Sequence, residues 1–313
     1  MVGLFIAFST TTVAAQGSRT WTGSTNTDWN TGSNWSGSNN IPSSATVTIP
    51  ASPSGGRFPV ISSAVPAITN IIMESGAMLT VNSGGSIRVT NQQDAINMAA
   101  NSTLQINGGT IACGEINLTG TIRQTGGTLH LNGNGTDSNP NEDIEFKSSE
   151  ARINQTGGTI YVKGVDSSRG LIEQNGTDAK FMIRIDFSPS STSSNPLTFT
   201  STRGTIEFMS ASSSIINIFT ERHQFNNVVV RNGANANVFP SGSVIRISGD
   251  FTNESATLNA AGATFTFNGI GDQNISSPSD NASLGSLTIN KANGRAILTS
   301  NVRLAGNFNI EPV

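Results

Sequence analysis

The chain has a single cysteine, Cys113, among 313 residues, so no disulfide can form within it. It has two histidines, His130 and His223. Neither stands at a zinc-site spacing from the cysteine. Charged residues make up 12% of the chain, roughly half the usual share. The formal net charge is -3, and no basic block occurs. That excludes the electrostatic footprint of a protein that binds nucleic acid or an anionic membrane. Capped amphipathic helices are missing. No apolar run reaches the roughly 20 residues of a membrane-spanning helix.

In their place stand 33 glycines and an abundance of Ser, Thr and Asn. Asn and Gly tolerate left-handed backbone angles and so suit turns. With 35% apolar residues and little charge, the composition fits a turn-rich all-β fold better than disorder. Short apolar runs alternate with polar residues: Thr46-Val47-Thr48-Ile49, Thr128-Leu129-His130-Leu131, Thr159-Ile160-Tyr161-Val162 and Thr264-Phe265-Thr266-Phe267. Each is the length of one half-buried strand.

A small phrase recurs. "VNSGGSIRV" (81–89), "INGGTIAC" (106–113), "QTGGTLHL" (124–131) and "QTGGTIYV" (155–162) each run a glycine pair into a short strand. Recurrence at such intervals marks a solenoid, whose stacked coils share one apolar ladder. A shift of 59 residues also lays 204–241 on 263–300. It matches Ile206 to Phe265, Phe208 to Phe267, Phe225 to Leu284 and Val228 to Leu287. The predicted fold is all-β, a right-handed parallel β-helix. A β-sandwich pair is the alternative, and it would require antiparallel hairpins.

The predicted organisation has four parts. Residues 1–15 read as a signal peptide, an apolar Met1–Phe8 followed by small residues at 13–15, though no Lys or Arg precedes the apolar run. Residues 16–66 form an N-terminal cap and first strands. Residues 67–200 are irregular coils with polar loops at 132–150 and 186–204. Residues 201–313 carry the 59-residue repeat and stop inside a further one, as a fragment of a longer chain would. No membrane span is expected in the mature chain.

All three tryptophans, Trp21, Trp29 and Trp35, lie in "TWTGSTNTDWNTGSNWSGSNNIPSSATVTIP" (20–50). They could form a sugar-binding platform. Their place ahead of the first repeat argues instead for a cap, because a solenoid must cover the apolar end of its first coil. Each would then be buried, with its indole N–H bonded nearby.

Catalytic signatures are absent. No nucleophile elbow, phosphate-binding loop, dinucleotide fingerprint or zinc-protease motif occurs. His130 lies between two inward leucines and faces outward; His223 precedes the Phe225 strand with no Ser or Asp partner in view. Cys113 reads as a small core residue. Asp137, Glu142, Asp143 and Glu145 give the 132–150 loop oxygen ligands that could hold Ca²⁺, without regular ligand spacing. A polysaccharide-cleaving or carbohydrate-binding β-helix would need acidic and basic groups converging from different coils. Asp137, Asp143, Asp166, Arg169, Arg184 and Asp186 are the candidates.

The opening segment resembles a module at the start of secreted, repeat-rich surface proteins of gram-negative bacteria. The resemblance rests on Trp21 and Gly23, Asp28-Trp29-Asn30, Asn34-Trp35, Pro42 and Val47-Thr48-Ile49. The later phrases "TFTFNGIGDQNIS", "LGSLTINKANG" and "VRLAGNFNI" are similar to the solenoid repeats of such proteins. The resemblance implies export by type IX secretion or an autotransporter-like route, and an adhesin-like or structural role at the cell surface. Glycans or neighbouring and host cell surfaces would be its partners, together with the secretion machinery. It assigns no catalytic residue and no cofactor.

Overall fold

The computed structural model describes residues 17–37, 39–131, 143–167, 169–189, 197–209, 223–232, 239, 241–277 and 282–311, with the side chains of 166–167 and 185–189 left aside. The proposed signal peptide, Asp137 and most of the 132–150 loop lie outside these residues. Strands pair in parallel along two long sheets, one of them 12-stranded. This is a β-solenoid, and among the described residues its strands show none of the antiparallel pairing of a sandwich.

Each coil contributes strands in a fixed rotation. In one coil, Thr103–Ile106 joins the 12-stranded sheet, and Thr110–Cys113 and Ile116–Leu118 join the other. The next coil repeats this with Thr121–Gln124, Thr128–Leu131 and Asp143–Phe146. The burial strings alternate as the period-2 pattern demands: Leu104, Ile106, Ile111 and Cys113 are fully buried, and the residues between them face outward. Stacked in register, these side chains build one continuous core. Burying one such aliphatic side chain contributes about 1.5–3 kcal/mol.

The core changes character along the axis. Ile, Leu and Val fill the first coils; phenylalanines fill the later ones. Phe181 meets Phe199 edge-on at 5.6 Å, Phe208 meets Phe239 at 5.4 Å, and Phe239 meets Phe265 at 5.3 Å. Two coil corners straighten into long strands, Thr159–Ser167 and Lys180–Pro189, with a register shift between Val162 and Gly164.

The glycine pairs form one corner of the solenoid. Gly109, Gly127 and Gly158 adopt φ of +68°, +70° and +74° and stack on one another. A Cβ on Gly127 would lie 2.4 Å from the Gly109 carbonyl oxygen, and one on Gly158 2.5 Å from that of Gly127. Both the left-handed angle and the close approach demand glycine.

The 59-residue shift does not relate equivalent positions. Ile206 and Phe208 lie in the larger sheet, Phe265 and Phe267 in the 12-stranded one. The coils themselves advance in shorter steps, with Val244 paired to Thr264 and Thr264 to Ser286. Alternation is shared by all faces of a solenoid, so an apolar match of this kind can land on the wrong face. Nor does the ladder break near residue 201: Thr198–Ser201 pairs with Leu171–Gln174 on one side and Gln224–Phe225 on the other.

The tryptophans close the N-terminal end. Trp21 and Trp29 are fully buried and Trp35 is 2% exposed. Trp35 stands edge-on to both, at 5.0 Å from Trp21 and 4.6 Å from Trp29. The Trp21 indole donates to the Arg57 carbonyl at 2.7 Å and that of Trp35 to the Trp29 carbonyl at 2.9 Å. The Trp29 indole N–H is buried without a hydrogen-bond partner. At the other end, Leu298, Phe308 and Ile310 are more than half exposed.

Candidate functional site

The outward positions of the coils form ranks along the solenoid axis, and any site must be assembled from them. Backbone register brings Asp143 and Asp186 into one row and Asp166 into the row beside it. Asp143 pairs with Gly164, and Gly164 with Asp186; two positions on, Glu145 pairs with Asp166. Arg184 lies in the same strand as Asp186. Arg169 is exposed on the connection after that row's middle strand. Asp137 falls outside the described residues.

This row continues an acidic band that sequence reading missed. Upstream lie Asp94 and Glu115. The Glu115 carboxyl is held above its ordinary pKa by burial, then by the charges of Asp94 and Glu145; Lys147 and a hydrogen bond from Asn117 act the other way. Asn117, nine-tenths buried, donates to Asp94 and, at 2.9 Å, to Asn97 Oδ1. Glu145 forms an ion pair with Lys147. Among the described residues, no three acidic, His or Cys side chains converge as metal ligands. Of the residues put forward for Ca²⁺, Asp143 and Glu145 sit in a paired strand rather than a loop.

The other titratable groups serve packing. Cys113 is buried, and burial pushes its thiol pKa up. His223 is fully buried in the core. Its Nδ1 accepts the Phe199 N–H at 3.1 Å, and burial lowers its pKa to about 4. His130 is half-buried on the outer face, edge-on to Tyr161 at 4.6 Å. Glu207, 2% exposed, takes Lys180 at 2.9 Å and Arg231 at 2.7 Å. Burial alone would raise its pKa; the hydrogen bonds from Arg231 and Lys180 outweigh that and hold it below the ordinary value.

The outer face of the 12-stranded sheet carries two open grooves. One, of about 480 Å³, is floored by Val244, Arg246, Thr264, Thr266 and Thr288 and rimmed by Asn268, Asn290, Ala292 and Glu311. The second, of about 490 Å³, runs over Ser201, Thr202, Gln224, Asn226, Ser248 and the Asn268–Gly271 turn. Asn268 lines both. It exchanges two hydrogen bonds with Gln224, at 2.9 and 3.2 Å, reaching over an intervening coil. The chemistry here is that of hydroxyls and amides, which donate and accept.

Residues 20–131 match the model of a family described as a domain of unknown function, DUF8693. The match covers the tryptophan cap and the coils up to the strand Thr128–Leu131. No curated protein matches the chain, and no solved structure matches it.

Proposed function

We propose that this protein is an exported β-solenoid of the cell surface or extracellular space, structural and adhesin-like, with no catalytic site. The observation that supports the reading is the division of labour among its polar groups. Charged side chains are consumed in contacts that brace neighbouring coils: the buried Glu207 with Lys180 and Arg231, and at the surface Asp272 with Arg295, and Lys291 on the carbonyls of Gly269 and Gly271. The outer face of the 12-stranded sheet, away from the acidic row of the other, keeps ranks rich in Thr, Asn, Ser and Gln. Such a surface suits extended, multivalent contact with glycans or cell surfaces. Export, by a type IX or autotransporter-like route from a gram-negative cell, rests on the resemblance of the opening segment. The test is to coat beads with the chain and measure retention on glycan-bearing surfaces, while assaying the same polysaccharides for cleavage. Retention without cleavage is expected; cleavage would overturn the reading.

One observation favours a second reading, that of a polysaccharide-degrading β-helix. Asp143 and Asp186 lie two interstrand steps apart in one column, which separates their backbones by about 10 Å. Inverting glycosidases hold their carboxyls about 6.5–9.5 Å apart. If this row were catalytic, Asp186→Asn would abolish cleavage of a polysaccharide that the native chain degrades.

A further inference from the structure

We infer that the paired grooves on the outer face of the 12-stranded sheet, centred on Arg246 and Asn268, form a binding site for a neutral, chain-like glycan lying along the solenoid axis. The inference rests on the adhesive reading above and assigns it a place and a ligand class.

Three ranks of outward side chains make the first groove. Strand register aligns Val244, Thr264 and Ser286 in one rank, and Arg246, Thr266, Thr288 and Asn309 in the next. Asn268, Asn290 and Glu311 follow at the turn, each backbone N–H bonded to the coil before it. Neighbouring strands stand about 4.8 Å apart, so equivalent hydroxyl and amide groups recur at the scale of successive sugar rings. Thr266, Thr288, Asn268 and Asn290 each donate and accept, as sugar hydroxyls do. Their positions are set by the sheet backbone, so little ordering is needed on binding.

Charge selects among possible occupants. Among the described residues, Arg246 and Glu311 are the charged side chains lining the first groove, and they cancel; none lines the second. A nucleic acid needs several cations to displace its counterions, and an acidic polysaccharide would meet Glu311. A volume near 480 Å³ lies within the usual range of ligand sites, about 300–1,000 Å³. The second groove, joined through Asn268, lets a longer chain continue, with Ile270, 81% exposed, as an apolar flank for a ring face.

The test is calorimetric titration of the full chain with hexasaccharides of cellulose, xylan and chitin, with oligogalacturonate as the acidic counterpart. A neutral hexasaccharide should bind, and Arg246→Ala should weaken it by ~10-fold or more, about one lost polar contact. Ala292→Trp, which fills the groove and removes no hydrogen bond, should do the same. It keeps the question open to test if Arg246→Ala fails to fold. Thr128→Val, on the other sheet, should bind as the native chain does. Binding that is indifferent to both groove variants, preference for oligogalacturonate, or no binding by any hexasaccharide would overturn the site. If retention on glycan-bearing surfaces persists meanwhile, the adhesive reading survives and only this location fails.

Discussion

Gln155 donates its side-chain amide to Gln124 Oε1 at 3.2 Å, one coil back, and both side chains are fully buried. Gln174 does the same to Gln155 at 3.1 Å, and the Ser201 hydroxyl ends the series on Gln174 at 3.0 Å. Each amide nitrogen also reaches two backbone carbonyls, for Gln155 those of Gly158 and Lys180. A polar spine thus runs inside an apolar core with its donors satisfied, beside the glycine corner.

Gln155→Leu should therefore destabilise the fold despite adding an apolar side chain to an apolar core. It leaves the Gly158 and Lys180 carbonyls and the neighbouring glutamines short of partners, at about 1–3 kcal/mol for each group left unsatisfied. Urea denaturation followed by circular dichroism reads the loss. An unchanged midpoint would mean that the spine contributes nothing to stability.

The cap gives a contrast between two tryptophans. Trp35 uses its indole N–H and Trp29 does not. Trp35→Phe should cost more than Trp29→Phe, by about 1 kcal/mol, the worth of a hydrogen bond. Native emission should be blue-shifted, as three shielded indoles require. Equal costs would refute the assigned hydrogen bond.

His223 makes stability fall in acid. Its folded pKa, about 4, lies below the ordinary histidine value of 6.5. Between those values the unfolded chain binds more protons, so stability drops as pH falls from about 6.5 to about 4. The full loss from this group is on the order of 3 kcal/mol. His223→Gln, which keeps an acceptor for the Phe199 N–H, should flatten that part of the pH profile in thermal melts. An unaltered profile would exclude His223 as its source.

Arg231→Met should remove one of the two cations on Glu207 and leave Lys180 in place. Arg231 also bridges to Glu254 at 2.8 Å, so two coils lose a brace together. With Arg231 35% exposed and Lys180 still paired to Glu207, the cost should stay below that of a fully buried pair, at about 1–3 kcal/mol for a charged hydrogen bond. The double variant Arg231→Met with Glu207→Gln should recover part of the loss, and a double-mutant cycle measures the coupling.

Much of the fold was legible in the sequence because it obeys local rules. Alternation located strands such as Thr128–Leu131, glycine pairs located a corner, and position ahead of the first repeat marked the tryptophans as a cap. What escaped depends on residues one coil away. Nothing in "QTGGT" shows that its glutamine faces inward, since the groups that satisfy it come from neighbouring coils. Glu207 likewise reads as a surface charge until Lys180 and Arg231 arrive from the coils on either side. Asp94 stands far in sequence from Glu115 and Asn117 and meets them only through register. The grooves around Asn268 needed the stacking itself, because no single segment contains them.

The strands of each coil pair only with those of the coils before and after it, and the Gln224–Asn268 amide pair is one of few contacts that span a coil. Tension drawn along the axis would therefore load one interface at a time and peel the molecule coil by coil. A coil of 20–22 residues, the steps from Val244 to Thr264 to Ser286, stretches to about 70 Å at roughly 3.3–3.6 Å per residue. Pulled along its axis, the protein would lengthen in a staircase of unequal increments, because the step between paired strands runs from 18 residues (Thr103 to Thr121) to 31 (Thr121 to Arg152). It would be an extensible tether that yields gradually under load.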